Sequence, residues 1–314
     1  MRKCVLGIDT SNYTTSVAII DETLELVANI KYPLPVKEGE RGLRQSDAVF
    51  AHIKNLPLAL SDAHQVLQEQ NLQVYAVGVS TKPRNQEGSY MPCFLSGVNA
   101  ALSASVVANV PLFRWSHQCG HLMAAVYGAG AMGLLSAPFG AFHVSGGTTE
   151  LVHAKLGETG FDALVVGGSK DLHAGQAIDR IGVALGLAFP AGPALEQLAL
   201  AYQGKIPKKK PSTEGCYVHL SGLENMALKL FGETKDKQLV AAFAFEYLGD
   251  ALEHMAKTYL DTYGDMPLVF GGGVMSNSVL RQRMQECFGA FIAPPALSAD
   301  NAVGIAVLTA KQIF

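Results

Sequence analysis

Charge is scarce in this chain: Asp, Glu, Lys and Arg make up 16% of its 314 residues, against about 25% in an average globular protein. Dense cysteines, a surplus of one sign of charge and long unbroken apolar runs are also missing. Each absence excludes something. Low charge beside a 49% hydrophobic fraction excludes an intrinsically disordered chain, which needs the reverse balance. Five cysteines, an odd number, are too sparse for a disulfide scaffold and read as reduced thiols of a cytoplasmic protein. A net charge of −3 gives no global field for nucleic acid, so an RNA partner must be held by a local patch. Residues 88–113 and 115–149 carry no charged side chain and are long enough to span a bilayer, which takes about 20 apolar residues. Gly, Ser, Asn, His and Pro interrupt both, so burial in a globular lobe is expected, with no membrane partner. Asp9 follows the start too soon for a secretory leader.

What is there reads as α/β. Cys4 to Asp21 reads as strand, tight turn over Asp9-Thr-Ser-Asn12, and strand, with a third strand at about 25–32. A helix is expected over 46–69, a buried strand over Val74–Ser80 and an apolar helix over 94–108. The second half opens with a strand near Leu112–Trp115, a helix from 117, and a strand-turn-strand over Ala141–Val152 that echoes the opening. Helices follow at about 173–187, 192–203, 238–263, 275–287 and 298–312, with a short strand at Pro267–Phe270. Duplicated meander-plus-helix halves predict two similar lobes around a central cleft. The expected division is 1–110 plus 297–314 as one lobe, and 111–296 as a metal- and nucleotide-binding lobe.

Five constellations carry chemistry. His117-Gln-Cys-Gly-His121 puts two imidazoles on one helix face, the first half of a zinc or iron site. Two hydrogen-bonded core histidines are the alternative. Ser145-Gly146-Gly147-Thr148-Thr149 can cradle phosphate oxygens with amides and hydroxyls, or can be an ordinary hairpin turn. Phe270 runs into Gly271-Gly272-Gly273 and then Val-Met-Ser-Asn277, where glycines before a helix favour contact with a nucleotide. Asp179 sits on a polar-faced helix that runs into Gly186–Pro193. Asp300 is either the cap of the last helix or the third metal ligand. Lys208, Lys209 and Lys210, between two prolines, form the single basic run, which by itself reads first as a solvated loop.

In order and spacing these motifs resemble the TsaD family, also called YgjD or Gcp, once labelled O-sialoglycoprotein endopeptidase. The resemblance spans nearly the whole chain. It rests on His117 and His121, Val144 to Thr149, Ile178-Asp179-Arg180 with Pro190-Ala191-Gly192-Pro193, Val218 to Glu224, Gly272 to Leu280, and Ala299-Asp300-Asn301-Ala302. It implies the two-lobe actin- and hexokinase-like (ASKHA) fold. It implies one divalent metal, iron or zinc, on His117, His121 and Asp300. It also implies ATP or threonylcarbamoyl-adenylate against Ser145, Gly146, Gly147, Thr148, Asp179, Gly192, Gly272, Gly273 and Asn277. The implied reaction is transfer of threonylcarbamoyl to a tRNA adenosine beside the anticodon. Lys82, Arg84 and Lys208–Lys210 would contact the RNA, and TsaB- or TsaE-like proteins or a second copy would be partners.

The chain departs from the family pattern at the opening motif, where Tyr13 and Thr14 stand in place of two acids. Lys82-Pro-Arg84-Asn-Gln-Glu-Gly88 replaces a glycine loop, and Leu172 and Gln176 replace two more acids. A divergent paralogue is therefore expected, with a non-catalytic metal- and nucleotide-binding scaffold as the alternative function. A metalloendopeptidase is disfavoured, because Gln118 stands where a zinc protease needs its general-base Glu.

Overall fold

The computed structural model describes residues 1–11, 13–35 and 43–314; Asn12 of the expected opening turn lies outside them. The described chain is α/β and divides into two compact units, one of Met1–Gly128, Leu156–Asp162 and Leu297–Phe314, the other of Ala129–Lys155 and Ala163–Ala296.

The first unit is built on a five-stranded sheet. Strands β1 (Arg2–Asp9), β2 (Thr14–Asp21) and β3 (Leu26–Pro33) form the antiparallel meander, and β4 (Leu72–Lys82) and β5 (Leu112–Ser116) add parallel strands beside β1, in the order β3-β2-β1-β4-β5. Period-two alternation divides the strand side chains between two faces. On one, Leu6, Ile8, Val17, Ile19, Val77 and Val79 pack against Leu56, Ala59 and Ala63 of helix α1 (Gln45–Glu69) and Ala101 of α2 (Phe94–Ala108). On the other, a glycine in each central strand lets a helix lie almost on the backbone. A Cβ on Gly7 would stand 2.7 Å from the Ala306 amide, and one on Gly78 2.0 Å from the Thr309 hydroxyl.

Helix α3 (His117–Gly128) lies beside the final helix on this face, and there a Cβ on Gly304 would meet the Gly120 carbonyl at 1.8 Å. The sequence reading placed the boundary after residue 110, which put the two histidines in the second lobe. The contacts correct this: α3 belongs to the first unit. The residues near 111–128 extend the first sheet and pack on its C-terminal helix, which no local signal announces.

The second unit carries a seven-stranded sheet, β12-β11-β6-β7-β8-β10-β9. Its strands are β6 (Phe139–Val144), β7 (Thr149–Gly157), β8 (Gly160–Ser169), β9 (Ser212–Glu214), β10 (Tyr217–His219), β11 (Leu268–Gly271) and β12 (Phe291–Ile292). The order β8-β7-β6-β11-β12 repeats β3-β2-β1-β4-β5, so the internal echo in the sequence corresponds to a repeated topology. Helices α4 (Ala174–Ala184), α5 (Gly192–Ala201), α6 (Ser221–Thr234), α7 (Lys237–Tyr263) and α8 (Ser278–Phe288) surround it. Helix α7, capped by the Asp236 carboxylate on the amides of Gln238 and Leu239, forms the spine of the core with Phe243, Tyr247, Leu248, Leu252 and Met255.

Several elements were not anticipated, among them β8, the β9–β10 pair and α6. β8 is broken up by Gly160, Gly167 and Gly168, the β9–β10 hairpin has three residues a side, and α6 buries only Leu223 and Ala227, so each leaves a weak period. The expected helix over 275–287 is a 3-10 turn, Gly273–Ser276, followed by α8. The expected helix over 298–312 is a short α9 (Pro295–Ser298), a loop, and α10 (Val303–Ile313). Among the described residues no helix is long and apolar enough to cross a membrane.

The α3–α10 contact leaves no space for a methyl group at residue 304. Gly304→Ala is expected to destabilise the protein by about 2–3 kcal/mol, the cost of overpacking a tight core, read as a lowered denaturant midpoint at unchanged slope.

Candidate functional site

β5 ends at Ser116 and α3 begins at once with His117, so the first turn of α3 is fixed to the rim of the first sheet. His117 and His121 are one turn apart, their rings meeting edge-on with centroids 4.2 Å apart. The Nε2 atoms of both face Asp300 Oδ1, at 3.7 Å from His117 and 3.4 Å from His121. One ligand atom from each of the three residues falls within a 4.8 Å cluster. Asp300 lies in the loop before α10 and is not its cap: Ala302 holds that position, and the Asn301 carboxamide takes the Val303 amide. The capping alternative therefore fails. Asp300 is held below the usual carboxylate range: burial alone would raise it, but a hydrogen bond from His121 and the charge of His117 outweigh that.

Behind this trio stands a residue the sequence reading used only as part of a turn. Asp9, fully buried at the end of β1, brings Oδ2 to 2.9 Å from His117 Nδ1. Its other oxygen accepts the Ser11 amide at 2.8 Å and the Ser11 hydroxyl at 2.5 Å. Burial would push Asp9 upward, but His117 and Ser11 hold it well below the ordinary range. His117 is pushed down by burial and more strongly up by Asp9, reaching about 9 in the metal-free protein. With Nδ1–H donated to a carboxylate, the neutral ring presents its Nε2 lone pair toward Asp300, as in carboxylate–histidine–metal arrangements. The Ser11 hydroxyl also lies 3.4 Å from that Nε2. The signal in the sequence was the acid itself, placed where an apolar strand is buried and an unpaired carboxylate would be costly. Two imidazoles and one carboxylate, one imidazole oriented from behind, form a donor set suited to a first-row divalent metal. His52 of α1 was also missed. It is buried, its Nδ1 is 2.8 Å from the Thr15 hydroxyl, and its Nε2 has no partner.

In the second unit a cavity of about 270 Å³ is lined by Gly146, Asp179, Gly192, Gly273 and Asn277, together with Gly175, Pro190 and Glu196. Five of the nine residues expected to hold a nucleotide thus meet at one place. The other four do not line it. Ser145 and Thr148 close the β6–β7 turn on each other, with the Ser145 amide donating to the Thr148 carbonyl at 2.7 Å. Gly147 belongs to the same turn. Gly272 is required by the backbone: it has φ +96°, and a Cβ there would strike the Val144 carbonyl at 2.2 Å. Asp179 accepts the Ala191 amide at 2.8 Å and so braces the loop before α5. Asn277 caps α8 through Oδ1, while its buried Nδ2 has no partner. Glu196 Oε1 accepts the Ser278 amide and hydroxyl, at 2.7 and 2.5 Å. Lys208, Lys209 and Lys210 are exposed on the coil before β9, and Lys82 and Arg84 are half-buried around the end of β4.

The family model for TsaD, tRNA N6-adenosine threonylcarbamoyltransferase, matches residues 27–307. The chain belongs to the TsaD family. A relative from Streptococcus mutans named tRNA N6-adenosine threonylcarbamoyltransferase is 32% identical over 327 residues, covering 98% of this chain and 92% of its own. Among solved structures, the Acidaminococcus fermentans (R)-2-hydroxyglutaryl-CoA dehydratase component A superposes with a TM-score of 0.54 at 13% identity, over 99% of this chain and 98% of that one. HypF from T. kodakarensis gives 0.61 at 13% identity, over 99% of this chain and 48% of that one. At such identity these likenesses establish the fold, which is the actin-like ASKHA type.

Asp9→Asn is expected to keep the fold and weaken binding of Zn²⁺ about tenfold or more, read by titration calorimetry. In metal-free protein the same change should cost most stability between about pH 4.5 and 6.5. There His117 would be protonated even when unfolded and Asp9 ionised. The gap from wild type should close as pH rises through about 9, where folded His117 loses its proton. A gap that widens toward pH 10 would refute the ion pair.

Proposed function

We propose that this TsaD-family chain transfers a threonylcarbamoyl group from its adenylate to N6 of a tRNA adenosine beside the anticodon. The observation that carries this reading is the convergence of His117, His121 and Asp300, braced by Asp9, in a chain of that family. The new bond joins N6 to the carbamoyl carbon; the bond from that carbon to the phosphate oxygen breaks, AMP leaves, and N6 gives up a proton. His117, His121 and Asp300 would hold one divalent iron or zinc ion, which supplies a Lewis acid to polarise the carbonyl or steady the leaving phosphate. In the second unit, the amides of Gly146 and Gly147 donate to no backbone acceptor among the described residues, so they are available to phosphate oxygens. The unpaired Asn277 amide is a ready donor to the nucleotide. Since an adenine amine is a poor nucleophile, orientation and charge stabilisation carry most of the rate.

Lys82, Arg84 and Lys208–Lys210 are assigned to tRNA phosphates. Exposed Phe50 and Ile53 on α1, with Leu95, Val106 and Val107 on α2, suit a protein partner of the TsaB or TsaE type or a second copy. The protein is taken to work in the cytoplasm. A second reading, a metal- and nucleotide-binding scaffold without turnover, is favoured by Tyr13, Thr14 and Gln176 in place of family acids.

The decisive experiment is rescue of cells depleted of their own threonylcarbamoyltransferase, with the modified nucleoside quantified in total tRNA by mass spectrometry. Restored modification that disappears in His117→Ala/His121→Ala is expected. None from well-expressed protein would sink the transferase reading in favour of the scaffold. Replacing Lys208, Lys209 and Lys210 by alanine is expected to weaken tRNA binding and reduce its salt dependence by up to about three counterions; an unchanged slope removes that loop from the interface.

A further inference from the structure

The second unit has a further cavity, of about 470 Å³, that the nucleotide does not use. Its lining includes Gln176, Asp179, Arg180 and Val183 of α4, Phe189 of the loop before α5, and Glu224 of α6. Asp179 lines the nucleotide cavity as well, and so does Pro190, the neighbour of Phe189, so the two cavities adjoin. Phe189 is 75% exposed, more than any other aromatic side chain among the described residues. Loose backbone does not account for this. Before it, the Leu187 amide donates to the Gly182 carbonyl at 2.9 Å; after it, the Ala191 amide donates to Asp179 at 2.8 Å. A Cβ on Gly182 would stand 2.2 Å from that of Ala191, so this loop lies hard against α4. The ring is held out by a loop tied down on both sides, with Val183 exposed beside it. Keeping a Phe side chain in water forgoes about 1.5–3 kcal/mol of burial, and an exposed apolar patch with a polar rim marks a binding surface.

The rim indicates what covers the ring. Arg180 pairs with Glu224 at 3.1 Å, and Gln176 and Asp179 complete a border of donors and acceptors around one apolar face. The core of a protein–protein interface is depleted of charge, whereas a nucleobase has a flat apolar face and an edge of donors and acceptors. The Lys237 ammonium lies 3.8 Å from where a Cβ on Gly186 would stand, at the start of the same loop. An aromatic face with a cation close by is the combination that binds single-stranded nucleic acid. The proposed reaction supplies such a base. Chemistry on an adenine requires it to leave its stack, and its neighbour in the RNA then loses a stacking partner. Resting on the transferase reading, we propose that this second cavity holds the base next to the acceptor adenosine, stacked on the Phe189 ring.

The test measures binding of the full chain to AMP and to a tRNA anticodon stem-loop with adenosine beside the anticodon, by calorimetry and fluorescence anisotropy. The stem-loop is used intact and with an abasic site at either neighbour of that adenosine. Because the ring is exposed, Phe189→Ala leaves the core untouched. It should weaken the intact stem-loop about 5- to 150-fold, the loss of one base–aromatic stack. The salt dependence should not change, since a stack releases no counterions, and AMP should bind as before. Phe189→Trp should retain the affinity. An abasic site at one neighbour should cost wild type the same factor and cost Phe189→Ala nothing. Full affinity in Phe189→Ala overturns the assignment, and so does an abasic penalty that persists in that variant at both neighbours. Equal losses for AMP place the ring against the donor nucleotide, and altered self-association with unchanged RNA binding makes the face a contact between copies; either overturns it. If wild type binds AMP but no stem-loop, the transferase reading itself fails.

Discussion

The buried pair between Asp9 and His117 is the constraint around which the first unit is arranged. Two charges out of water are tolerable only with close geometry and with their remaining hydrogen-bonding capacity used, and removing one partner of such a pair costs about 3–5 kcal/mol. Here Ser11 occupies the second carboxylate oxygen, and both partners stand at the ends of strands of one sheet: Asp9 ends β1, and His117 follows β5 directly. The pair is therefore held by backbone pairing through β4 and not by flexible side chains. His121 inherits its position from the helix that His117 begins. Asp300 arrives by a different route. Its loop is carried in by α10, which can approach because Gly7, Gly78, Gly120 and Gly304 leave no side chain in the way. Four missing side chains and one ion pair bring two distant parts of the chain to one cluster.

The repeated topology has been put to two uses. In each unit the first hairpin of the meander turns at a short segment of small, hydroxyl-bearing residues. In the first unit the last residue of β1, Asp9, presents a carboxylate to a histidine. In the second, the Ser145–Thr148 turn is closed by its own hydrogen bonds, leaves two glycine amides without a backbone acceptor among the described residues, and has the N-terminus of α4 against it. A Cβ on Gly175 would meet the Gly146 amide at 2.6 Å. The acids of the second unit are largely engaged in bracing. Asp171 takes the amides of Leu220 and Ser221 and the Ser221 hydroxyl, Asp179 takes Ala191, and Glu196 takes Ser278. Among the described residues, the buried side-chain atom left unpaired in the pocket is a donor, the Asn277 amide, which suits an oxygen-rich ligand.

The acids of the first-unit site, Asp9 and Asp300, are both engaged with histidines.

Much of this was written locally. Alternating apolar strands, the long apolar stripe of α1, the i,i+4 histidines and the glycine-rich turns are short-range patterns, and their periods fix element type and which residues share a face. The repeat was visible for the same reason, as a meander motif occurring twice. What local pattern could not carry was partnership across sequence. The fate of Asp300 depended on where α10 begins, which follows from the Asn301 carboxamide taking the Val303 amide and from packing over Gly7 and Gly304. The role of Asp9 depended on His117, 108 residues away. Of three consecutive glycines, one joins β11, one avoids the Val144 carbonyl and one lines the cavity, a division that only neighbouring backbone imposes. Sequence alone determined which chemical groups this protein possesses and the secondary structure that displays them. The tertiary structure decided which groups face one another, because burial, charge pairing and close packing act between residues that are neighbours only in space.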